Sequence, residues 1–187
     1  MKYGLFPGAE KIPKMVVVNT SYVCNAKCIH CTHSIDTSSR TIVGKDYFID
    51  EKIFKKLADE CGPENAFIRV TGTGEPMLHP QLVELVRYAK DRGCKVSMIT
   101  NGSLLTADKA DALLDCGIDG VEFSVDAASK DIYSIIRRGL DFENLLSNIS
   151  YLKKQRDKVS PKTNLICSFI EQEATKEERE IAESFWV

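Results

Sequence analysis

The chain has 187 residues, of which 43% are hydrophobic and 28% are charged, with a formal net charge of −2. These values fit one globular domain over residues 1–187, and no basic excess suggests a nucleic-acid partner. The apolar runs are far shorter than the roughly 18 residues that cross a bilayer, so we expect no membrane association. Seven cysteines, an odd number without a preceding signal peptide, favour a reducing cytoplasm over a disulfide framework.

Short runs rich in Val, Ile, Phe and Thr predict buried strands of a parallel sheet. They cover residues 15–19, 67–71, 95–99, 120–124 and 164–170. Amphipathic helical periods lie between and after these runs. The five helices are predicted to begin near Asp50, Pro80, Thr106, Asp141 and Thr175, and the second and third to end near Gly93 and Gly117. Five βα units in series imply an α/β fold with a parallel sheet and right-handed crossovers.

Three cysteines, Cys24, Cys28 and Cys31, follow the first predicted strand with C-x3-C-x2-C spacing. Thiolates are natural ligands of iron–sulfur clusters, and three of them leave one iron of a cubane cluster open to a small molecule. A structural zinc site closes with four ligands, and His30 or His33 could supply the fourth. The spacing therefore indicates an open cluster, with zinc as the alternative.

Polar and glycine-rich segments follow the next three predicted strands. They are residues 71–76, 100–102 and 124–126. Ligands of parallel α/β sheets and barrels bind at the C-terminal ends of the strands. These segments and the cysteines are therefore expected to share one edge of the sheet.

With these motifs in this order, the chain resembles the radical S-adenosylmethionine (radical SAM) superfamily from about Val16 to its end. The resemblance implies a partial (β/α) barrel, with about five βα units present and a sixth missing, and hence a C-terminally incomplete core domain, with a naturally short member as the alternative. Its cofactors would be a [4Fe–4S] cluster on Cys24, Cys28 and Cys31, and S-adenosylmethionine. Residues 126–142 resemble members with a C-terminal SPASM-type domain for auxiliary clusters, and we expect this domain to be absent here, since no second cysteine cluster occurs in residues 1–187.

The resemblance also implies roles for individual residues around S-adenosylmethionine. Gly74, Glu75 and Pro76 match a Gly-Gly-Glu-Pro motif that holds the methionine amino group, with Thr73 in place of its first glycine. The remaining implied contacts are His30 near the adenine, Asn101 at the ribose, Ser124 at the methionine carboxylate or ribose, and Arg137 at the carboxylate.

Each of these assignments has a structural alternative. Glu75 is also a reasonable surface turn residue, and Asn101 and Ser124 are also consistent with purely structural roles. Arg137 could pair with a nearby carboxylate instead, or Arg138 could take its place. The candidate partners in the sequence are Asp131 and Asp141.

The implied activity is reductive cleavage of S-adenosylmethionine to a 5′-deoxyadenosyl radical, which abstracts hydrogen from an unidentified substrate. That substrate would be a peptide or a small molecule such as a sugar, and the low-potential electron donor a flavodoxin or ferredoxin. The cofactors carry the difficult chemistry, so no catalytic side chain beyond them is expected. The alternatives are a catalytically incomplete fragment or scaffold, and an iron–sulfur or zinc module without S-adenosylmethionine chemistry.

Overall fold

A computed structural model describes residues 12–32 and 47–186. Five parallel strands form one sheet within them, and every strand pairs with its neighbour in the sequence. The strands are β1 (Met15–Asn19), β2 (Phe67–Thr71), β3 (Lys95–Thr100), β4 (Gly120–Ser124) and β5 (Asn164–Ser168). The predicted parallel α/β sheet is therefore confirmed.

Six α-helices whose full length lies within the described residues follow or connect these strands. They are α1 (Glu51–Cys61), α2 (Leu82–Asp91), α3 (Ala107–Asp115), α4 (Lys130–Ile136), α5 (Phe142–Val159) and α6 (Arg179–Phe185). The same ranges contain three short 3-10 helices, Gly62–Glu64, Pro76–Leu78 and Glu173–Glu178. No helix in the described ranges is long and apolar enough to span a bilayer.

Three of the predicted helix starts are confirmed by capping hydrogen bonds. The side chains of Asp50, Thr106 and Asp141 each accept from main-chain N–H groups in the first turn of the following helix. Such caps satisfy donors that the helix itself leaves unpaired.

Other predicted boundaries were wrong. The second helix begins at Leu82 and not at Pro80, and Thr175 lies inside a 3-10 helix that precedes α6. Strand β3 extends one residue past its prediction to Thr100, and β5 ends at Ser168 instead of residue 170. The main-chain N–H of Ile170 donates to the Asp126 side chain at 2.9 Å, so here the chain has left the sheet ladder. Helix α4 was not predicted.

The two faces of the sheet differ because side chains alternate along each strand. One face carries the core, formed with the helices by residues such as Ile68, Val70, Val96, Met98, Val121 and Phe123. The other face carries Arg69 and Glu122, whose side chains pair at 2.5 Å and are partly exposed. Sequential strand order with right-handed crossovers puts all connecting helices on one face, as in a partial barrel. The C-terminal ends of the strands then surround a common opening.

Candidate functional site

One cavity of about 380 Å³ lies at the C-terminal ends of the strands. Nine of the ten predicted site residues line it, namely Cys24, Cys28, His30, Cys31, Gly74, Glu75, Asn101, Ser124 and Arg137. Pro76 is the tenth, and it lies buried beneath as the first residue of a 3-10 helix. The cavity is also lined by Thr71, Gly72, Thr73, Ile99 and Ile170, which were not predicted as site residues.

The loop that carries the cysteines is attached to the C-terminal end of α4. The main-chain N–H of Lys27 donates to the carbonyl of Arg138 at 2.8 Å, and that of Ile29 donates to the carbonyl of Ile136 at 3.1 Å. These bonds fix the segment between Cys24 and Cys31 against an element that lies more than 100 residues later. The contact also explains how Arg137 reaches the cavity.

The three thiols have different surroundings. Cys28 is buried, and its sulfur accepts a hydrogen bond from Nη1 of Arg137 at 3.5 Å. Burial raises the pKa of the Cys28 thiol, and the Arg137 guanidinium opposes that rise. Cys24 is half-buried, its sulfur accepts from the main-chain N–H of Ala26 at 3.4 Å, and burial raises its pKa as well. Only Cys28 is thus contacted by a charged donor in the described part of the chain.

Arg137 forms a buried ion pair with Asp126. Its Nη2 contacts Oδ2 of Asp126, and the two side chains are 10% and 1% exposed. Asp126 has a positive φ of 54°, and its other carboxylate oxygen accepts from the main-chain N–H of Ile170. The partner of Arg137 is therefore Asp126, and the two alternatives suggested by the sequence, Asp131 and Asp141, are wrong.

His30 is held between two side chains. Its Nε2 lies 3.5 Å from Oδ2 of Asp126, and its Nδ1 lies 3.4 Å from the amide nitrogen of Gln172. Burial lowers the pKa of His30, and Asp126 opposes this. His30 would have to give up a contact to serve as a zinc ligand, and the other candidate, His33, lies outside the described residues. Within residues 12–32 and 47–186 no three His, Cys, Asp or Glu side chains converge closely enough to hold a single metal ion, whereas a cubane cluster binds each thiolate through a different iron.

The carboxylate of Glu75 is 98% buried and accepts three hydrogen bonds from the protein. The donors are the Thr100 hydroxyl at 2.6 Å, the Asn101 main-chain N–H at 2.8 Å and the Met77 main-chain N–H at 3.0 Å. Burial raises the pKa of this carboxyl, and the three donors oppose the rise. An ionised carboxylate has about four acceptor directions. Glu75 therefore caps the 3-10 helix that begins at Pro76 and links it to the C-terminal end of β3. About one acceptor direction of its carboxylate remains free for a ligand.

Asn101 joins the cysteine loop to the loop after β3. Its Nδ2 donates to Oδ1 of Asn25 at 2.9 Å, and its Oδ1 accepts from the Ser103 hydroxyl at 2.7 Å. Nδ2 of Asn25 in turn donates to the Ser103 oxygen at 2.8 Å, which closes a ring of three side chains. Sequence reasoning missed Asn25 and Ser103. The position of Asn25 between two predicted ligands was the only local signal.

Gly74 is required by a close approach of two main-chain segments. A Cβ atom at this position would lie 2.3 Å from the carbonyl oxygen of Ser21 and 2.4 Å from that of Val23. The next residue, Glu75, donates its main-chain N–H to the Val23 carbonyl at 2.8 Å. The missing side chain thus lets the segment after β2 close onto the start of the cysteine loop.

A parallel sheet with sequential strand order, whose C-terminal strand ends surround one cavity, is typical of partial (β/α) barrel proteins. Residues 18–177 match the Radical SAM superfamily, so the chain belongs to that superfamily. Radical SAM proteins use a [4Fe–4S] cluster and S-adenosylmethionine.

Relatives of several named activities resemble this chain. An AdoMet-dependent heme synthase of Methanosarcina barkeri is 29% identical over 144 residues, which cover 76% of this chain and 40% of the relative. A GTP 3′,8-cyclase of Chlorobaculum tepidum is 34% identical over 131 residues, which cover 70% of this chain and 38% of the relative. The chain thus spans about two fifths of the length of these relatives.

Solved structures share the fold at lower identity. The native enzyme anSMEcpe with bound AdoMet has a TM-score of 0.74 and 20% identity, over 92% of this chain and 48% of that one. SuiB of Streptococcus suis bound to S-adenosylmethionine has a TM-score of 0.74 and 14% identity, over 94% and 38%. The structural neighbours are radical SAM enzymes, some with SPASM domains. They confirm the predicted partial barrel.

Proposed function

We propose that this chain is the catalytic core of a radical SAM enzyme, in which Cys24, Cys28 and Cys31 bind a [4Fe–4S] cluster. The observation that carries the proposal is that these three cysteines and the Gly74–Glu75 segment after β2 line the same cavity. When bound, the cluster and S-adenosylmethionine supply one-electron cleavage of the sulfonium and a 5′-deoxyadenosyl radical for hydrogen abstraction. The residues of the chain bind these groups, orient them and exclude water.

Glu75 and Gly74 are proposed to bind the methionine ammonium group. The one acceptor direction that remains on the Glu75 carboxylate suits a cation, because charge-assisted hydrogen bonds are stronger than neutral ones. Gly74 leaves the neighbouring main chain accessible on the cavity side, and Pro76 starts the 3-10 helix whose Met77 N–H orients Glu75. Because the carboxylate is buried and accepts three hydrogen bonds from the protein, it is already oriented before a ligand binds.

The other side chains proposed to contact S-adenosylmethionine differ in how many contacts they already make with the protein. Ser124 lines the cavity at the end of β4 and is proposed to reach the methionine carboxylate or the ribose. Arg137 could assist with the carboxylate only by sharing its guanidinium with Asp126 and Cys28. Asn101 is proposed at the ribose, although its side chain also belongs to the Asn25 ring. His30 is proposed near the adenine.

The substrate is proposed to be a peptide or a small molecule such as a sugar. The relatives named above act on different substrates, and one solved neighbour holds a peptide. A low-potential flavodoxin or ferredoxin in the cytoplasm is the proposed electron donor.

The test is anaerobic reconstitution followed by incubation with S-adenosylmethionine and dithionite. We expect about four irons and four sulfides per chain, and loss of the cluster in Cys24→Ala, Cys28→Ala and Cys31→Ala. We also expect 5′-deoxyadenosine from the wild type. Tight binding of one zinc without iron–sulfur absorbance would contradict the proposal, and a cluster without 5′-deoxyadenosine would leave the scaffold alternative.

A further inference from the structure

Cys28 is the cysteine of the motif that a guanidinium contacts. Nη1 of Arg137 donates to its sulfur at 3.5 Å, whereas the Cys24 sulfur accepts from a neutral main-chain N–H. Both Cys28 and Arg137 are more than 90% buried. A charged donor in such a setting acts on the sulfur with little screening by water, because the local dielectric constant is low.

Asp126 holds Arg137 in this position. The carboxylate is itself fixed, since one oxygen accepts from the Ile170 N–H and the other faces Nη2 of Arg137. His30 lies 3.5 Å from the oxygen that faces Arg137. Asp126 thus orients the guanidinium of Arg137, which contacts Asp126 through one nitrogen and the Cys28 sulfur through another.

A second buried donor lies on α4, one turn before Arg137. The hydroxyl of Tyr133 is buried and has no hydrogen-bond partner among the described residues, and the same holds for Nε of Arg137. The main-chain N–H of Arg137, the first residue after α4, donates to the carbonyl of Tyr133 at 2.7 Å, so the two residues lie one turn apart. Burial raises the pKa of the Tyr133 hydroxyl. An unpaired buried hydroxyl costs free energy unless a ligand or water accepts its hydrogen bond.

We propose that Arg137, positioned by Asp126, and Tyr133 donate hydrogen bonds to the sulfur atoms at the Cys28 corner of the cluster and thereby make it easier to reduce. This inference rests on the proposed function. Reduction adds one electron from the low-potential donor to the cluster and neither forms nor breaks a bond. Hydrogen bonds to the sulfurs stabilise the added negative charge, and they are a recognised determinant of cluster potentials.

The experiment is a redox titration of the reconstituted protein, followed by electron paramagnetic resonance without S-adenosylmethionine. Without that ligand, a lost carboxylate contact cannot affect the result. At the potential where half of the wild type is reduced, Arg137→Met should lower the ratio of reduced to oxidised cluster about tenfold, which equals 59 mV for one electron. Tyr133→Phe removes one oxygen atom and should lower the ratio less, in the same direction.

Two further variants separate the hydrogen bond from the charge. The double variant Arg137→Met/Asp126→Asn removes both charges and should still be harder to reduce than the wild type. Arg138→Met removes the same charge from an exposed neighbour, and we expect it to titrate as the wild type.

Each outcome bears on a different claim. Wild-type potentials in both Arg137→Met and the double variant would overturn the inference, as would an equal shift in Arg138→Met. A variant that is folded by circular dichroism but binds no cluster would also overturn it, because Arg137 would then only hold the loop. A wild type without iron would instead contradict the proposed function itself.

Discussion

The cysteine loop is attached at two places that use different chemistry. At α4, Cys28, Arg137 and Asp126 form a buried charged contact, which we call the charged anchor. At the loop after β3, Asn25, Asn101 and Ser103 form a ring of neutral hydrogen bonds, which we call the amide anchor. Both restrain the same short segment.

The difference between the anchors lies in what their removal leaves behind. Loss of one amide partner leaves neutral groups, and Asn25 lies at the exposed edge where water can replace it. Loss of Arg137 leaves the Asp126 carboxylate buried without its counter-charge. The amide anchor therefore positions the loop at small cost, whereas the charged anchor also sets the electrostatic surroundings of a sulfur.

The largest effect is expected from breaking the charged anchor on one side only. Arg137→Met should lower the free energy of unfolding of the metal-free protein by about 3–5 kcal/mol, because a buried charge is left uncompensated. The double variant Arg137→Met/Asp126→Asn should recover most of this loss. Urea denaturation of the reduced proteins measures both. If the double variant were no more stable than Arg137→Met, the uncompensated charge of Asp126 would not be the cause of the loss.

Gly74→Ala tests the close main-chain contact between the segment after β2 and the start of the cysteine loop. The new Cβ would overlap two carbonyl oxygens that belong to rigid backbone, so we expect a loss of about 3 kcal/mol or more. Gly120→Ala is the matched control, since its Cβ would find its nearest neighbours at 3.5 Å. Thermal unfolding of the two variants compares them directly. Equal melting temperatures would mean that the segment after β2 shifts without cost.

These two predictions also mark the limit of sequence reasoning. The strand runs, the caps at Asp50 and Asp141, and the cysteine spacing are local patterns, and they were predictable. Arg137 and Asp126 are eleven residues apart with a helix between them, and no short-range periodicity pairs them. Helix α4 was missed because seven residues give too few turns for a clear amphipathic period. Its Ser129 cap was the available signal.

The amide anchor was hidden for a different reason. Asn25 and Asn101 are 76 residues apart, and their contact exists only because the parallel strands bring their C-terminal ends together. Strand order therefore predicted that these loops would share an edge, but not which side chains would meet. The same applies to Glu75, whose brace to Thr100 and Asn101 depends on the β2–β3 pairing.

Glu75→Gln should weaken ligand binding and also loosen the contact with the end of β3. The amide keeps the size of the side chain and the oxygen that accepts from Met77 and Thr100, but its NH2 group then faces the Asn101 N–H, and the charge that suits an ammonium group is lost. We expect about tenfold weaker binding of S-adenosylmethionine, from the loss of one charge-assisted hydrogen bond, with unchanged iron content. Isothermal titration calorimetry of the reconstituted protein measures the affinity. Glu64→Gln, an exposed carboxylate elsewhere, is the control, and unchanged affinity in Glu75→Gln would leave Glu75 as a cap only.

The smallest effect is expected from Asn25→Ala, which opens the amide anchor. Loss of neutral, partly exposed hydrogen bonds should lower the stability by about 1 kcal/mol. Asn144→Ala is a matched control, because Asn144 donates to the main-chain carbonyl of Ser103 at 2.9 Å without contacting the cysteine loop. The two variants should therefore be similarly stable in urea.

Their clusters should differ in how quickly they are lost. When the reconstituted proteins are mixed with a strong iron chelator, Asn25→Ala should release iron faster than Asn144→Ala, because Asn25, unlike Asn144, lies in the loop between Cys24 and Cys28 and ties it to Asn101 and Ser103. The decay of iron–sulfur absorbance gives the rate. Equal rates would mean that the charged anchor alone holds the loop, and the amide anchor would then serve only the β3 loop. A faster rate in Asn25→Ala at equal stability would show that a neutral contact can limit the lifetime of a cluster it does not touch.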